Sequence, residues 1–294
     1  MRKLTIGVAI LFIIMLGLIV PASFSGEVNS AVITYGETTH ANSDYKADVD
    51  SFFKEQSNVD LNNVDEKIIT ADEVNKVSST ITGKTYGSDQ VFSSALVDLN
   101  ENDDLEVSVD KSKINTITGD MYISALKSVG ITSGHVYVTS PVSATGESAL
   151  TGIMNSYEVV TDVEIPDNVK EAANNEIFTQ AEIVENSDVE AEKLSDLVDD
   201  VKETVQEENV TDHDTIVNII NNYTVTNNIN ITNADIENLA NSIEQIQNVQ
   251  GDINNYETQV STIFNNTTNT TNSTDNIGGN TNDIGGLLSG LFNQ

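Results

Sequence analysis

The sequence predicts an α+β or α/β protein: an N-terminal mixed sheet with helices, followed by an all-helical C-terminal region and a disordered tail. Three observations carry this. The stretch from Thr118 to Glu158 patterns as helix, strand, helix, and such a unit can bury its apolar stripes only against a sheet. Upstream of it, short β-branched and period-two runs supply the other strands. After Val163 the strand signals stop and apolar residues recur every three or four positions.

Taken in order, Val32 to Gly36 (VITYG) reads as a first strand, and Tyr45, Val49, Phe52 and Phe53 follow at i, i+4, i+7 and i+8, one face of a helix. Lys67 to Thr70 is a second strand, and Asp72 to Ser79 a helical turn or two before Gly83 and Gly87. Gln90 to Leu99 and Leu105 to Asp110 alternate with period two around the polar Asn100 to Asp104, which predicts a hairpin. In the central unit, Tyr122, Ala125, Leu126 and Val129 form a helical stripe that Asp120 would cap and Gly130 would end. His135 to Thr139 reads as a strand between Gly134 and Pro141. Ala149, Leu150, Ile153, Met154 and Tyr157 return to helical spacing, with Ser143 or Thr145 as the expected cap.

Beyond Val163, Pro166 opens a helix, since its missing amide is not needed there. Ser187 or Asp188 would cap the next, whose stripe is Leu194, Leu197, Val198, Val201 and Val205. Thr211 or Asp212 begins a helix through Ile220, which the run NNYTVTNNINIT is expected to break. Ile236, Leu239, Ile243 and Ile246, then Ile253, Tyr256, Val260 and Ile263 after Gly251, predict a helical hairpin; one continuous helix is the alternative, at about 1 kcal/mol for the glycine. The expected units are 1–25, a signal peptide or N-terminal membrane anchor; 26–164, the α/β domain; 165–264, the helical region; and 265–294, an Asn/Thr/Gly-rich tail with too little apolar surface to offset the entropy of ordering.

Arg2 and Lys3, an uncharged run from Leu4 to Val20 and then small residues around Ser23 and Ser25 have the order of a secretory signal. The run also approaches the length of a membrane span, so cleavage and anchoring both stay open. The chain has no cysteine, which excludes disulfides, thiolate metal sites, a cysteine nucleophile and a lipobox. Its net charge of −33 repels phosphate-rich partners, and no window supplies the cationic stripe that nucleic-acid binding needs. The bland reading of that charge is solubility in a crowded extracellular layer; the sharper one is binding of calcium or a basic peptide.

The runs SPVSATGESALTGIMNSYE, MYISALKSVGI and NNEIFTQAEI resemble the YpuA-like secreted proteins, a family of unknown function in Gram-positive bacteria and methanogenic archaea. The likeness extends from about Val32 to about Ile263, and its most specific part is Gly146, Ala149, Leu150, Thr151, Gly152 and Ile153. It implies a shared fold and an extracytoplasmic setting, and it transfers no site residues.

Asn-x-Ser/Thr sequons stand at Asn209, Asn222, Asn230, Asn265, Asn266, Asn269 and Asn272, candidate glycosylation acceptors, though an Asn-rich chain makes some by chance. Asp98, Asn100, Asn102, Asp104 and Glu106 have the alternate oxygen spacing of a calcium loop, but Asp103 stands where glycine is needed and Val109 where glutamate is, which favours a plain polar turn. Ser143, Thr145, Gly146 and Ser148 open a helix and form a weak anion or ligand loop without the lysine of a phosphate loop. The same stretch approaches a nucleophile elbow, with Leu150 in place of the second glycine, and His135 as the nearest base for Ser148. No coherent catalytic set emerges, and no cofactor is called for beyond calcium as a weak candidate. The reading is therefore an exported cell-envelope protein, a non-catalytic binding or structural module partnered by an envelope component or an extracellular protein. The alternatives are an envelope hydrolase using the Ser140–Ser148 loop and a membrane-tethered extracellular sensor, the membrane being reached only through the N-terminal segment.

Overall fold

The computed structural model describes residues 31–81, 83–99 and 104–271. The expected signal segment and the end of the tail lie outside them. Five strands form one mixed sheet: β1 (Ala31–Gly36), β2 (Asp65–Ile69), β3 (Ser94–Asp98), β4 (Glu106–Val109) and β5 (His135–Thr139). Their order is β2-β1-β3-β5-β4. β1 runs parallel to β2 and antiparallel to β3; β5 runs antiparallel to β3 and parallel to β4. The N-terminal mixed sheet is thus as predicted, but the hairpin is not. Alternation tells which residues share a face, not which strand is the neighbour. β5 is almost wholly buried and takes the place between β3 and β4, whereas β4 is half-buried, with Glu106 exposed, and serves as an edge.

Side-chain alternation divides the sheet into two unequal faces. On one, Ile33, Tyr35, Leu96 and Tyr137 meet Val49 and Phe53 of helix α2 (Ser43–Gln56), which follows the short α1 (Glu37–Ala41). On the other, Val32, Val97, Val136 and Val138 enter the main core with α4 (Gly119–Lys127) and α5 (Ser148–Thr161). Helix α3 (Ala71–Ile81) is longer than the turn or two expected. Two glycines of the Gly146 to Ile153 motif have a steric reason. Gly152 lets α5 lie on the sheet: a Cβ there would meet Thr34 Oγ1 at 2.5 Å. Gly146, at φ +112°, would meet Ile114 and the Tyr122 hydroxyl at 2.8 Å.

The rear half is helical, as predicted: α6 (Asp167–Asn186), α7 (Ala191–Glu207), α8 (His213–Thr226), α9 (Asn233–Asn248) and α10 (Gln250–Thr271). The main core runs without interruption from Val32 through the α7 stripe to Val260, so sheet and helices bury one another. α8 continues past Ile220 because Ile220 and Thr224 are buried and Tyr223 reaches Thr204 of α7 at 2.8 Å; packing overrides the weak local propensity. α9 and α10 are broken at Val249 alone. A helical hairpin needs two to five loop residues, and here the chain does not reverse: Asn175 with Gln245 and Asn168 with Asp252 follow one antiparallel register against α6. α10 also extends to Thr271, past the boundary expected at Asn265.

Several caps differ from expectation. Thr118, not Asp120, accepts from the Met121 amide at the start of α4. Glu147 precedes α5 without a capping bond, and Pro166 and Glu190 do the same for α6 and α7. Asp212 caps α8 as expected.

Candidate functional site

The loop before α5 is built around a carboxyl group. Glu147 is 3% exposed; the Thr145 hydroxyl donates to its Oε2 and the Tyr86 hydroxyl to its Oε1 at 3.5 Å. Burial pushes this carboxyl above its ordinary range, partly opposed by the Thr145 bond, by its own backbone amide and by Lys84, which pairs with Glu185 at 2.6 Å. The Glu147 carboxyl is thus buried in the loop that opens α5, bonded to that loop and to Tyr86 rather than to the first amides of the helix. Ser143 accepts from Asn115 at 3.2 Å, the Gly146 carbonyl accepts from Tyr122 at 2.5 Å, and Ser148 is the first residue of α5. These contacts clasp the loop to α4 and to the Tyr86 segment.

His135 stands on the α2 side of the sheet, the face opposite α5 and Ser148. There β4 sets Ser108 Oγ 3.1 Å from His135 Nε2 and Glu106 Oε2 3.8 Å from His135 Nδ1, while Tyr137 stacks on the ring with centroids 4.3 Å apart. The order hydroxyl, imidazole, carboxylate is that of a proton relay. The Glu106 side chain is 68% exposed, so water weakens its hold on the ring.

Of the calcium-loop residues, Asp98 is buried at the end of β3, Asp104 is exposed in an isolated bridge to Ser133, and Glu106 lies on β4. Asn100 and Asn102 lie outside the described residues. Among the described residues no group of three or more His, Cys, Asp or Glu could hold a metal ion. Asn209 and Asn230 are exposed in connections and Asn222 is exposed on α8. Asn265, Asn266 and Asn269 fall on α10, and Asn272 lies outside the described residues.

A polar cleft of about 450 Å³ lies between α6 and α9, closed at one side by Ile81 of α3. Its α6 wall is Glu171, Asn175, Thr179 and Glu182, and its α9 wall is Asn238, Asn241, Glu244, Gln245 and Asn248. Positions 171, 175, 179 and 182, and 238, 241, 245 and 248, are each at helical spacing, so each wall is one polar face. The floor is fixed by Asn175 Nδ2 donating to Gln245 Oε1 at 2.5 Å, and Asn175 and Thr179 are buried. Carboxamides offer a donor and an acceptor each, and no lysine or arginine lines the cleft beside its carboxylates. His213 engages Glu244 of the α9 wall: its Nε2 meets Glu237 at 3.0 Å and its Nδ1 meets Glu244 at 3.1 Å, and the two carboxylates raise the imidazole pKa.

Sequence reasoning did not single out Glu147, Ser108 or this cleft. The spacing of the Asn and Gln residues on α9 was a usable signal for the cleft; Ser108 beside His135 was not legible without the β4-β5 pairing.

The family described as Protein of unknown function (DUF1002) matches residues 35–263. The chain is similar to Uncharacterized protein YpuA of Bacillus subtilis (strain 168), 28% identical over 218 residues, covering 72% of this chain and 70% of that protein. No solved structure matches.

Proposed function

Because this chain belongs to the DUF1002 family, proteins of unknown function, we propose its role from its own features: an exported protein of the cell envelope that acts as a non-catalytic binding module through the α6–α9 cleft. The observation that carries the reading is the cleft itself, where two helical faces bring amide and carboxylate groups together around a concave space. The basic-apolar-small order of residues 1–25 and the net charge of −33 support the envelope setting. The partner is an envelope component or an extracellular protein, with no nucleic acid and no cofactor; sugars on Asn209 or Asn230 would be compatible with their exposure. Mass spectrometry of the native protein from fractionated cells tests the setting. A chain beginning near Gly26 in envelope or medium, or an intact one held in the membrane fraction as a tethered sensor, agrees with export. A soluble cytosolic chain with residues 1–25 intact contradicts it.

A second reading, an envelope hydrolase, is favoured by one observation: the Ser108–His135–Glu106 arrangement on β4 and β5. It replaces Ser148 as the nucleophile of that reading, since Ser148 stands on the other side of the sheet. A fluorophosphonate probe that labels Ser108, and fails to label it after His135→Ala, would support it; an unlabelled Ser108 would remove it.

A further inference from the structure

We infer that the α6–α9 cleft takes an extended, basic peptide segment, with the carboxamides of α9 holding its backbone and Glu171 and Glu182 its cationic side chains. This rests on the binding reading above and names the class of partner. The first step is the row of amides. Asn238, Asn241, Gln245 and Asn248 lie along one face of α9. From the first to the last is ten residues, a span of about 15 Å at 1.5 Å per residue. An extended chain advances about 3.3 Å per residue, so the row matches four or five residues of a strand-like peptide.

The second step is chemical matching. A peptide bond presents one donor and one acceptor, and so does a carboxamide, which pairs with it without charge and without regard to side chain. No aromatic residue lines the cleft, so a sugar ring has no face to stack on, and the single apolar residue, Ile81, gives an apolar side chain little to bury against. The third step is charge. Glu171 and Glu182 flank the groove on α6; neither forms a salt bridge among the described residues, and Lys84, which pairs with Glu185, is the cation near enough to Glu182 to feel its charge. Glu244, across the groove, is engaged by His213. A ligand carrying lysine or arginine supplies the counter-charge Glu171 lacks and adds to that of Lys84 at Glu182, and an acidic one is repelled.

The test uses the chain from residue 26 onward and fluorescein-labelled pentapeptides, read by anisotropy. Lys-Gly-Lys-Gly-Lys is expected to bind, and Glu-Gly-Glu-Gly-Glu to bind at least tenfold more weakly. Glu171→Gln with Glu182→Gln should weaken the basic peptide at least tenfold and flatten its salt dependence. Asn241→Ala with Gln245→Ala should weaken it about fivefold at every salt concentration, and N-methylating the peptide backbone should do the same. Asn241 and Glu171 are exposed, Glu182 is half-buried and Gln245 is exposed but holds Asn175, so unchanged urea unfolding is required of each variant, and Asn241→Ala alone is measured beside the double variant. Equal binding of the basic and acidic peptides, or no effect of the amide variants and N-methylation, overturns the inference. If no peptide binds while Asn241→Ala with Gln245→Ala still abolishes capture of an envelope component, the inference falls and the binding module stands.

Discussion

At the scale of single residues, two positions in the Gly146 to Ser148 turn carry unusual demands. Gly146→Ala places a Cβ 2.8 Å from Ile114 and Tyr122 at a backbone angle that L residues avoid, and it is expected to lower stability by about 2 kcal/mol in urea unfolding. Glu147 should leave a pH signature. Its carboxyl is held above the ordinary 4.5 by burial, so the folded protein binds the proton more tightly than the unfolded chain. Its contribution is best below that ordinary value and is lost as pH rises through the raised one. Glu147→Gln should therefore gain stability relative to the parent between pH 4.5 and the raised value and level off above it. A difference that stays flat from pH 4 to 7 would refute this. Such details were hard to read from residues alone. Thr118 and Asp120 are both good caps by type, and which one serves depends on where the chain leaves the preceding loop, which no local pattern records.

At the scale of elements, helix and strand identities were legible from periodicity, while their neighbours were not. His135 to Thr139 was recognisable as a strand; that it separates β3 from β4 follows from its burial on both faces, a tertiary fact. The run after Ile220 looked like a breaker and is helix, because α7 offers a surface for Ile220, Tyr223 and Thr224. A polar knot around the buried Glu176 and Ser124 joins three helices in the same way. Lys202 of α7 donates to Glu176 of α6 at 2.9 Å and to Ser124 of α4 at 2.7 Å, and Ser124 donates to Asp199 at 2.5 Å. The Glu176 side chain is 1% exposed. Lys202→Met leaves that buried carboxylate with the Ser124 and Ser128 hydroxyls but no counter-charge and should cost about 3 kcal/mol, most of it recovered in the double variant with Glu176→Gln. Urea midpoints of the two variants check this. A single variant as stable as the parent would contradict it.

At the scale of the whole molecule, one continuous core links the sheet to α10, so front and rear should unfold together. Hydrogen exchange across a urea series is expected to lose protection in β1, β3 and α7 at one midpoint; separate midpoints would mean two independent bodies. That shared core also holds α6 in place between α3, α4 and α5 on one side and α9 on the other, which gives the cleft a rigid wall. The strongly acidic composition is plain in the sequence, whereas the convergence of the two helical faces that brings Glu171, Glu182 and Glu244 together required the fold. Carboxylate footprinting with carbodiimide and glycine ethyl ester, read by mass spectrometry with and without a solubilised envelope fraction, tests the binding site most directly. Protection confined to Glu171 and Glu182, with Glu106 modified as before, is the predicted result. Protection at Glu106 with Glu171 and Glu182 unchanged would contradict it and move the site to the sheet edge.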